Sequence, residues 1–232
     1  MDNSASRPQT TVVLAMSADG KIADVTRSPA RFGSEADKAH LEQQVAQADA
    51  VLFGAGTLRA YGTTLRVSHP ELLAMRSQQG KPPQPVQMVC SRLAEFDPNL
   101  RFFQQPVPRW LLTTAAGAKT WQERTGFERI LVAEAAEQTL DWVTALQQLA
   151  SLGIQRLAVL GGGELVASLM ALDLIDELWL TVCPLILGGA IAPTPVQGVG
   201  FPAELAPRLE LRSVETCGPE VFLHYRLQRG KD

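Results

Sequence analysis

The sequence predicts a single-domain α/β protein with a mainly parallel central sheet, flanking helices and an antiparallel hairpin near its C-terminal end. Three observations predict it. Short β-branched apolar runs alternate with helix-length segments from Thr11 to about Leu172, glycine-rich turns follow two of those runs directly, and beyond Leu172 strands succeed one another without helices. Alternation of this kind implies right-handed crossovers and parallel pairing.

Thr11 to Met16 is an apolar run that stops at Ser17-Ala18-Asp19-Gly20, a buried strand entering a turn. Ser34 is placed to cap a helix running to about Gln47, with Glu35 and Asp37 in its first turn. Ala50 to Phe53 is a second strand, and Gly54-Ala55-Gly56-Thr57 follows, with Thr57 as a helix cap. Ser77 to Pro85, with one glycine and three prolines, reads as an exposed loop leading into the strand Val86 to Cys90. Trp110 to Thr113 and Ile130 to Ala133 are two further strands. Apolar residues at Leu140, Val143, Leu146, Leu149 and Ala150 mark a helix that Gly153 ends. A strand then runs into Gly161-Gly162-Gly163 and a helix to about Leu172. Glu177 to Cys183, Leu209 to Glu215 and Val221 to Leu227 are the closing strands, and Cys217-Gly218-Pro219 turns the last two into a hairpin.

A length of 232 residues, 46% of them apolar, suits one sizeable core; the expected boundaries are a lead over residues 1–10, a domain over 11–228 and a tail over 229–232. The net charge of −3 comes from mixed signs with no basic run, which argues against a nucleic-acid partner. The longest uncharged stretch, Leu178 to Ala203, is broken by prolines and glycines and cannot be a continuous membrane helix. The polar first ten residues lack the apolar core of a secretion signal, so the cytoplasm is the expected compartment. Cys90, Cys183 and Cys217 are expected to be buried free thiols rather than a disulfide or zinc framework. Trp110, Trp121, Trp142 and Trp179 are spread over separate elements and are expected to pack in the core or an interface.

The run from Leu157 to Val166 carries the most chemistry. An apolar strand stops at three glycines and an amphipathic segment begins at once. Without Cβ atoms a backbone can turn sharply and approach an anion, while the free N–H groups and positive dipole end of the next helix face it. Glycines between strand and helix also serve plain tight packing. The Rossmann spacing fails, because the sixth position from Gly161 is Val166, and no Walker lysine follows.

Met16-Ser17-Ala18-Asp19-Gly20-Lys21-Ile22-Ala23, Gly54-Ala55-Gly56-Thr57, Gly161-Gly162-Gly163 and Pro184-Leu185-Ile186-Leu187-Gly188-Gly189 occur in that order. Together they resemble the reductase domain of the riboflavin-biosynthesis deaminase/reductases, whose fold is like that of dihydrofolate reductase. The resemblance runs from about Thr11 to Leu227. It implies NADPH-dependent reduction of a small molecule, a ribosylamino-pyrimidine 5′-phosphate, to the ribitylamino form, in a homodimer. It also implies a cofactor pyrophosphate on Gly161, Gly162, Gly163, Glu164 and Leu165, with further cofactor contacts at Met16, Thr57 and Ser91. Substrate contacts are implied at Ser34, Leu65 and Leu160. Many members carry a zinc deaminase as well. His40-Leu41-Glu42 spells part of its motif, but no cysteine pair follows, so no metal site is expected and His40 reads as a helix-surface residue.

The substrate side departs from the family pattern. An arginine usual before the second strand is Val45, the usual Asp-Asp-Pro stretch is Tyr61 to Arg66, and the usual glutamate before the three glycines is Leu160. Arg59 or Arg66 is available as a replacement cation for a phosphate. On the loop after the first strand, Asp19 and Lys21 are the candidates to donate a proton or polarise an imine or carbonyl. Asp-Gly also makes an ordinary tight turn. The changed anchors keep two alternatives open: a pterin, folate-like or other small carbonyl or imine substrate, and a nucleotide-binding module without turnover.

Overall fold

The computed structural model describes residues 7–229. Nine strands, β1 (Gln9–Ser17), β2 (Ala50–Gly54), β3 (Val86–Cys90), β4 (Arg109–Thr113), β5 (Arg129–Val132), β6 (Arg156–Val159), β7 (Glu177–Cys183), β8 (Arg208–Cys217) and β9 (Glu220–Gln228), interleave with six α-helices. The helices are α1 (Glu35–Gln47), α2 (Ala55–Tyr61), α3 (Pro70–Gln78), α4 (Ala115–Trp121), α5 (Trp142–Ser151) and α6 (Gly163–Met170). Pairing is parallel for β1 with β7 and through β2, β3, β4 and β5, and antiparallel for β7 with β9 and β9 with β8. The α/β class and the closing hairpin are as the sequence implies.

The chain gathers into two compact units, and each draws on separated stretches of sequence. One comprises Glu42–Ala158 with the start of the chain, and its strands run β5-β4-β3-β2-β6. Val51, Leu52, Met88, Val89, Leu111 and Leu112 are all fully buried there, as expected for parallel strands covered on both faces. Trp121 packs among Phe96, Phe103 and Phe127 and donates its indole N–H to the Ala94 carbonyl at 2.7 Å. The buried Arg76 of α3 donates to the carbonyls of Ala46 and Ala48 at the end of α1, at 2.8 and 2.7 Å, and to that of Pro82. Lys81 donates to the Gln47 carbonyl and pairs with Asp49 at 2.9 Å. With no basic residue in its own last turn, α1 takes its C-terminal cap from these two.

The other unit comprises Thr10–Leu41 and Val159 onward, with strands in the order β1-β7-β9-β8. On one face of β7 lie Trp179, Thr181 and Cys183; their neighbours on β9 begin His224 opposite Trp179 and Phe222 opposite Thr181. At the margin, β8 is exposed along nearly its whole length.

Several boundaries differ from expectation. Pro70 opens α3 and the helix runs to Gln78, into the stretch from Ser77 that its proline and glycine content suggests is irregular; Pro at the first helical position is pre-set for the helix. The helix α4 is capped by Thr114, which accepts from the Gly117 N–H, and its alanine-rich sequence shows no amphipathic stripe to reveal it. Gly54, not Thr57, is the residue preceding α2. β1 begins at Gln9, inside the expected lead; residues 1–6 of that lead and 230–232 of the tail lie outside the described residues.

Candidate active site

The loop after β1 is fastened to the chain after β7. Ser17 Oγ donates to Asp19 Oδ1 at 2.5 Å, and the backbone N–H groups of Leu187 and Gly188 donate to the same carboxylate at 3.1 and 2.7 Å. Ala18 N–H bonds the Leu185 carbonyl and Ile22 N–H that of Pro193. The hydrogen bond from Ser17, followed by that from Leu187, holds the Asp19 acid down at about 2. A carboxylate so placed has no proton to give near neutrality, so the proton-donor role expected of Asp19 does not suit it; it fastens two loops. Lys21 is half-buried, its N–H bonded to Ser17 Oγ at 2.9 Å and its ammonium 3.4 Å from the Ala192 carbonyl. Gly188 and Gly189 have φ of +66° and +81°, a left-handed pair that lets their loop turn under Asp19.

Gly161 (φ +95°) and Gly162 are joined by a cis peptide, and Gly162 then caps α6 in an extended conformation. Gly161 and Gly163 are buried; Gly162 is half-exposed. A Cβ on Gly163 would lie 2.2 Å from the Thr194 carbonyl oxygen and 2.7 Å from Gln197 Cγ, so this glycine is demanded by the chain's own packing. A Cβ on Gly161 would come within 3.1 Å of Leu14. Only Gly162 meets solvent, at the head of α6 where the first-turn amides of Gly163, Glu164 and Leu165 lack intrahelical partners. The exposed Glu164 side chain is itself acidic in that turn. Met16 is half-buried on β1 opposite Val182, and Leu160 is half-buried immediately before the glycines.

Ser34 caps α1, its hydroxyl accepting from the Ala36 and Asp37 N–H groups at 3.1 and 3.2 Å. That hydroxyl also donates to the buried Glu220 of β9 at 2.5 Å, while Ser34 N–H donates to the other oxygen at 2.8 Å. The substrate role expected of Ser34 therefore competes with a structural one. Burial of Asp37, one turn on, raises its acid above the usual carboxylate range, and the neighbouring Glu220 charge adds to the shift. Ser34-x-x-Asp37 reads in sequence as an ordinary capping pattern, and the cap is formed. His40 is not a surface residue. It is wedged against Trp179 and Phe222, ring centroids 4.7 and 5.1 Å away, its Nε2 is buried without a partner, and burial lowers its pKa.

In the first unit, Thr57 is half-buried in the opening turn of α2, directly after β2, and Ser91 follows the adjacent β3. Both stand at the C-terminal ends of neighbouring parallel strands, the usual side for ligands in α/β sheets. The Ser91 hydroxyl accepts from the Ala94 N–H at 3.0 Å, bracing its own turn. Leu65 is half-buried, Arg59 and Arg66 are exposed, and Val45 is fully buried with no group to offer a ligand. Cys90 and Cys183 are buried as expected, but Cys217 is exposed because it lies at the tip of the β8–β9 hairpin. Among the described residues, no three His, Cys, Asp or Glu side chains gather as metal ligands, and no helix is long and apolar enough to cross a membrane.

The chain is 31% identical over 223 residues to the 2,5-diamino-6-ribosylamino-4(3H)-pyrimidinone 5′-phosphate reductase of Archaeoglobus fulgidus, covering 96% of this chain and 100% of that one. It is 29% identical to the protein of the same name from Methanothermobacter thermautotrophicus, over 96% of this chain and 99% of that one. In structure it is similar to a pyrimidine reductase-like protein of Corynebacterium diphtheriae, with a TM-score of 0.80, 20% identity and coverage of 98% and 94% of the two chains. Residues 8–223 match the model of the RibD C-terminal domain, and the chain belongs to that family.

Proposed function

We propose that this protein is an NADPH-dependent reductase that converts a ribosylamino-pyrimidinone 5′-phosphate to its ribitylamino form. The relatives named for that reaction, matched over nearly all of both chains, support the substrate class. The observation that carries the reading is the solvent-facing Gly162 at the head of α6, where bare amides suit a dinucleotide's diphosphate. Thr57, Ser91 and Met16 are proposed as further cofactor contacts. The exposed Arg92 beside Ser91 suits an adenosine 2′-phosphate and supports NADPH over NADH.

When bound, the reduced nicotinamide supplies a hydride. The chain's own work is orientation and proton supply. As the sugar carbon accepts the hydride, its bond to the ring oxygen breaks and that oxygen takes a proton. Lys21 is proposed to deliver it, from a position set by Ser17 and the Ala192 carbonyl. Asp19 is proposed to hold the two loops that frame this position. Leu65 and Leu160 line the substrate, and Arg59 or Arg66 takes the phosphate. A cytoplasmic setting suits the free thiols. A homodimer is proposed through the exposed β8.

Purified protein with the ribosylamino-pyrimidinone phosphate is expected to oxidise NADPH, and Gly162→Asp to abolish both turnover and cofactor binding. NADPH binding without oxidation would overturn the substrate. Val45 and Leu160 favour one second reading, a less polar pterin or other small imine in the same site, for which oxidation with such compounds alone would be the evidence.

A further inference from the structure

We infer that Gln84 and Gln105 are positioning residues: they pin the chain on either side of Leu65-Arg66, so that the Arg66 guanidinium, rather than that of Arg59, receives the substrate's phosphate. This rests on the phosphorylated-pyrimidinone reading above and decides between its two cations.

The segment from Gly62 to His69 joins α2 to α3 within the first unit and has no helix or strand of its own. A connection of that kind is ordinarily mobile, yet side chains from three other parts of the unit hold it. Gln105 Oε1 accepts from the Thr63 hydroxyl at 2.7 Å and from the Thr64 N–H at 2.9 Å, and Gln105 Nε2 donates to the Thr64 carbonyl at 2.9 Å. Gln84 treats Val67 in the same way, accepting from its N–H at 2.9 Å and donating to its carbonyl at 2.7 Å. Each amide thus gives one residue the pair of bonds that a neighbouring strand would give. Beyond Val67, Glu42 of α1 accepts from the N–H groups of Ser68 and His69 at 2.5 and 2.7 Å. The buried Gln87 of β3 takes the Thr64 hydroxyl. Gln105 is itself fixed, its carbonyl accepting from Arg109 Nη1 at 2.5 Å and from the Val107 N–H at 2.9 Å.

Between the two clamped residues, Leu65 and Arg66 make no hydrogen bond or ion pair among the described residues. Leu65 is half-buried and Arg66 is exposed. With the backbone fixed on both sides, Arg66 has only side-chain freedom to lose when it meets an anion. Arg59 is placed differently: it lies in the last turn of α2, where the carbonyl end of its own helix attracts a cation. A planar guanidinium takes two phosphate oxygens at once only when it is aimed as well as charged. The clamps supply the aim.

The test measures NADPH oxidation by wild type, Arg66→Gln, Arg59→Gln, Gln84→Leu, Gln105→Leu and the double variant Gln105→Leu with Arg66→Gln. Each is given the ribosylamino-pyrimidinone as its 5′-phosphate and as the dephosphorylated nucleoside. Arg66→Gln is expected to raise KM for the phosphate by roughly tenfold to a hundredfold, the loss of a charge-assisted pair, and Arg59→Gln by clearly less. Each leucine variant should raise it by about threefold to tenfold, with kcat and the nucleoside's KM little moved. Gln105→Leu should add nothing once Arg66 is gone, because the glutamine acts through the arginine. A glutamine that merely holds the fold would weaken both substrates alike. That result, a Gln105→Leu effect that persists in full beside Arg66→Gln, or a loss from Arg59→Gln as large as that from Arg66→Gln, overturns the inference. Should a leucine variant not fold, Gln105→Glu or Gln84→Glu takes its place, keeping the accepting oxygen and losing the donor to the carbonyl. If neither pyrimidine is reduced, the proposed function fails, and NMR titration of the same proteins with ribose 5-phosphate against ribose decides the clamp. Wild type should then prefer the phosphate, and the arginine and glutamine variants should lose that preference; equal wild-type binding of the two sugars, or a preference unaltered in the variants, overturns it.

Discussion

Gly162 and Gly163 stand side by side yet answer to different forces. Gly163→Ala drives a methyl into the Thr194 carbonyl, and overpacking of this kind costs about 1–3 kcal/mol, read as a lower Tm with weakened cofactor binding only as a consequence. Gly162 has a φ of −78° that any residue adopts, and Gly162→Asp puts charge where an anion is proposed, so binding is expected to be lost with a smaller change in Tm than Gly163→Ala. The three glycines are conspicuous in sequence, but which of them is free for a ligand depends on the distant Thr194 to Gln197 segment. Asp19 was similarly legible as a residue and illegible as a role, because its donors Leu187 and Gly188 lie far along the chain. Its depressed acid sets the sign of a pH effect: the stabilisation is full above the unfolded acid's ordinary 3.8 and disappears as pH falls toward about 2. Asp19→Asn should flatten the Tm profile over that window, and an unaltered slope from pH 5 to 2 would remove the latch.

At the scale of elements, strands were read more reliably than helices. β3 and β7 match their expected bounds end to end, and none of their residues is exposed. α3 and α4 were missed because neither shows an apolar stripe over enough residues. What anchors α3 is one tertiary contact that periodicity does not register: Arg76 is 1% exposed and satisfies three carbonyls. Removing the guanidinium leaves buried acceptors unpaired, at about 1–3 kcal/mol for each group stranded. Arg76→Met, which keeps the stem's packing, is therefore expected to lower urea-unfolding stability by about 3 kcal/mol or more, and Lys81→Met by clearly less because its site is partly open to water. Equal losses from the two would mean that the cap on α1 is shared rather than carried by Arg76.

For the molecule as a whole, β8 is the strand with the most exposed surface. Its Leu209, Leu211 and Val214 are 40%, 52% and 52% exposed on an edge strand ten residues long, a length of free backbone that proteins seldom leave uncovered. Glu210 and Arg212 flank Leu211 on this strand, paired to each other at 2.7 Å. β8 carries a bulge at Arg212, where its register on β9 shifts between Leu211 and Ser213; in an antiparallel pairing with a second copy centred on Leu211 the two Leu211 side chains meet on the axis, as two-fold symmetry requires. Light scattering should then give twice the 25.1 kDa chain mass, and Leu211→Lys should return it to that of one chain by placing two like charges on the axis. A wild-type mass of one chain at the concentrations used for assay would remove the dimer.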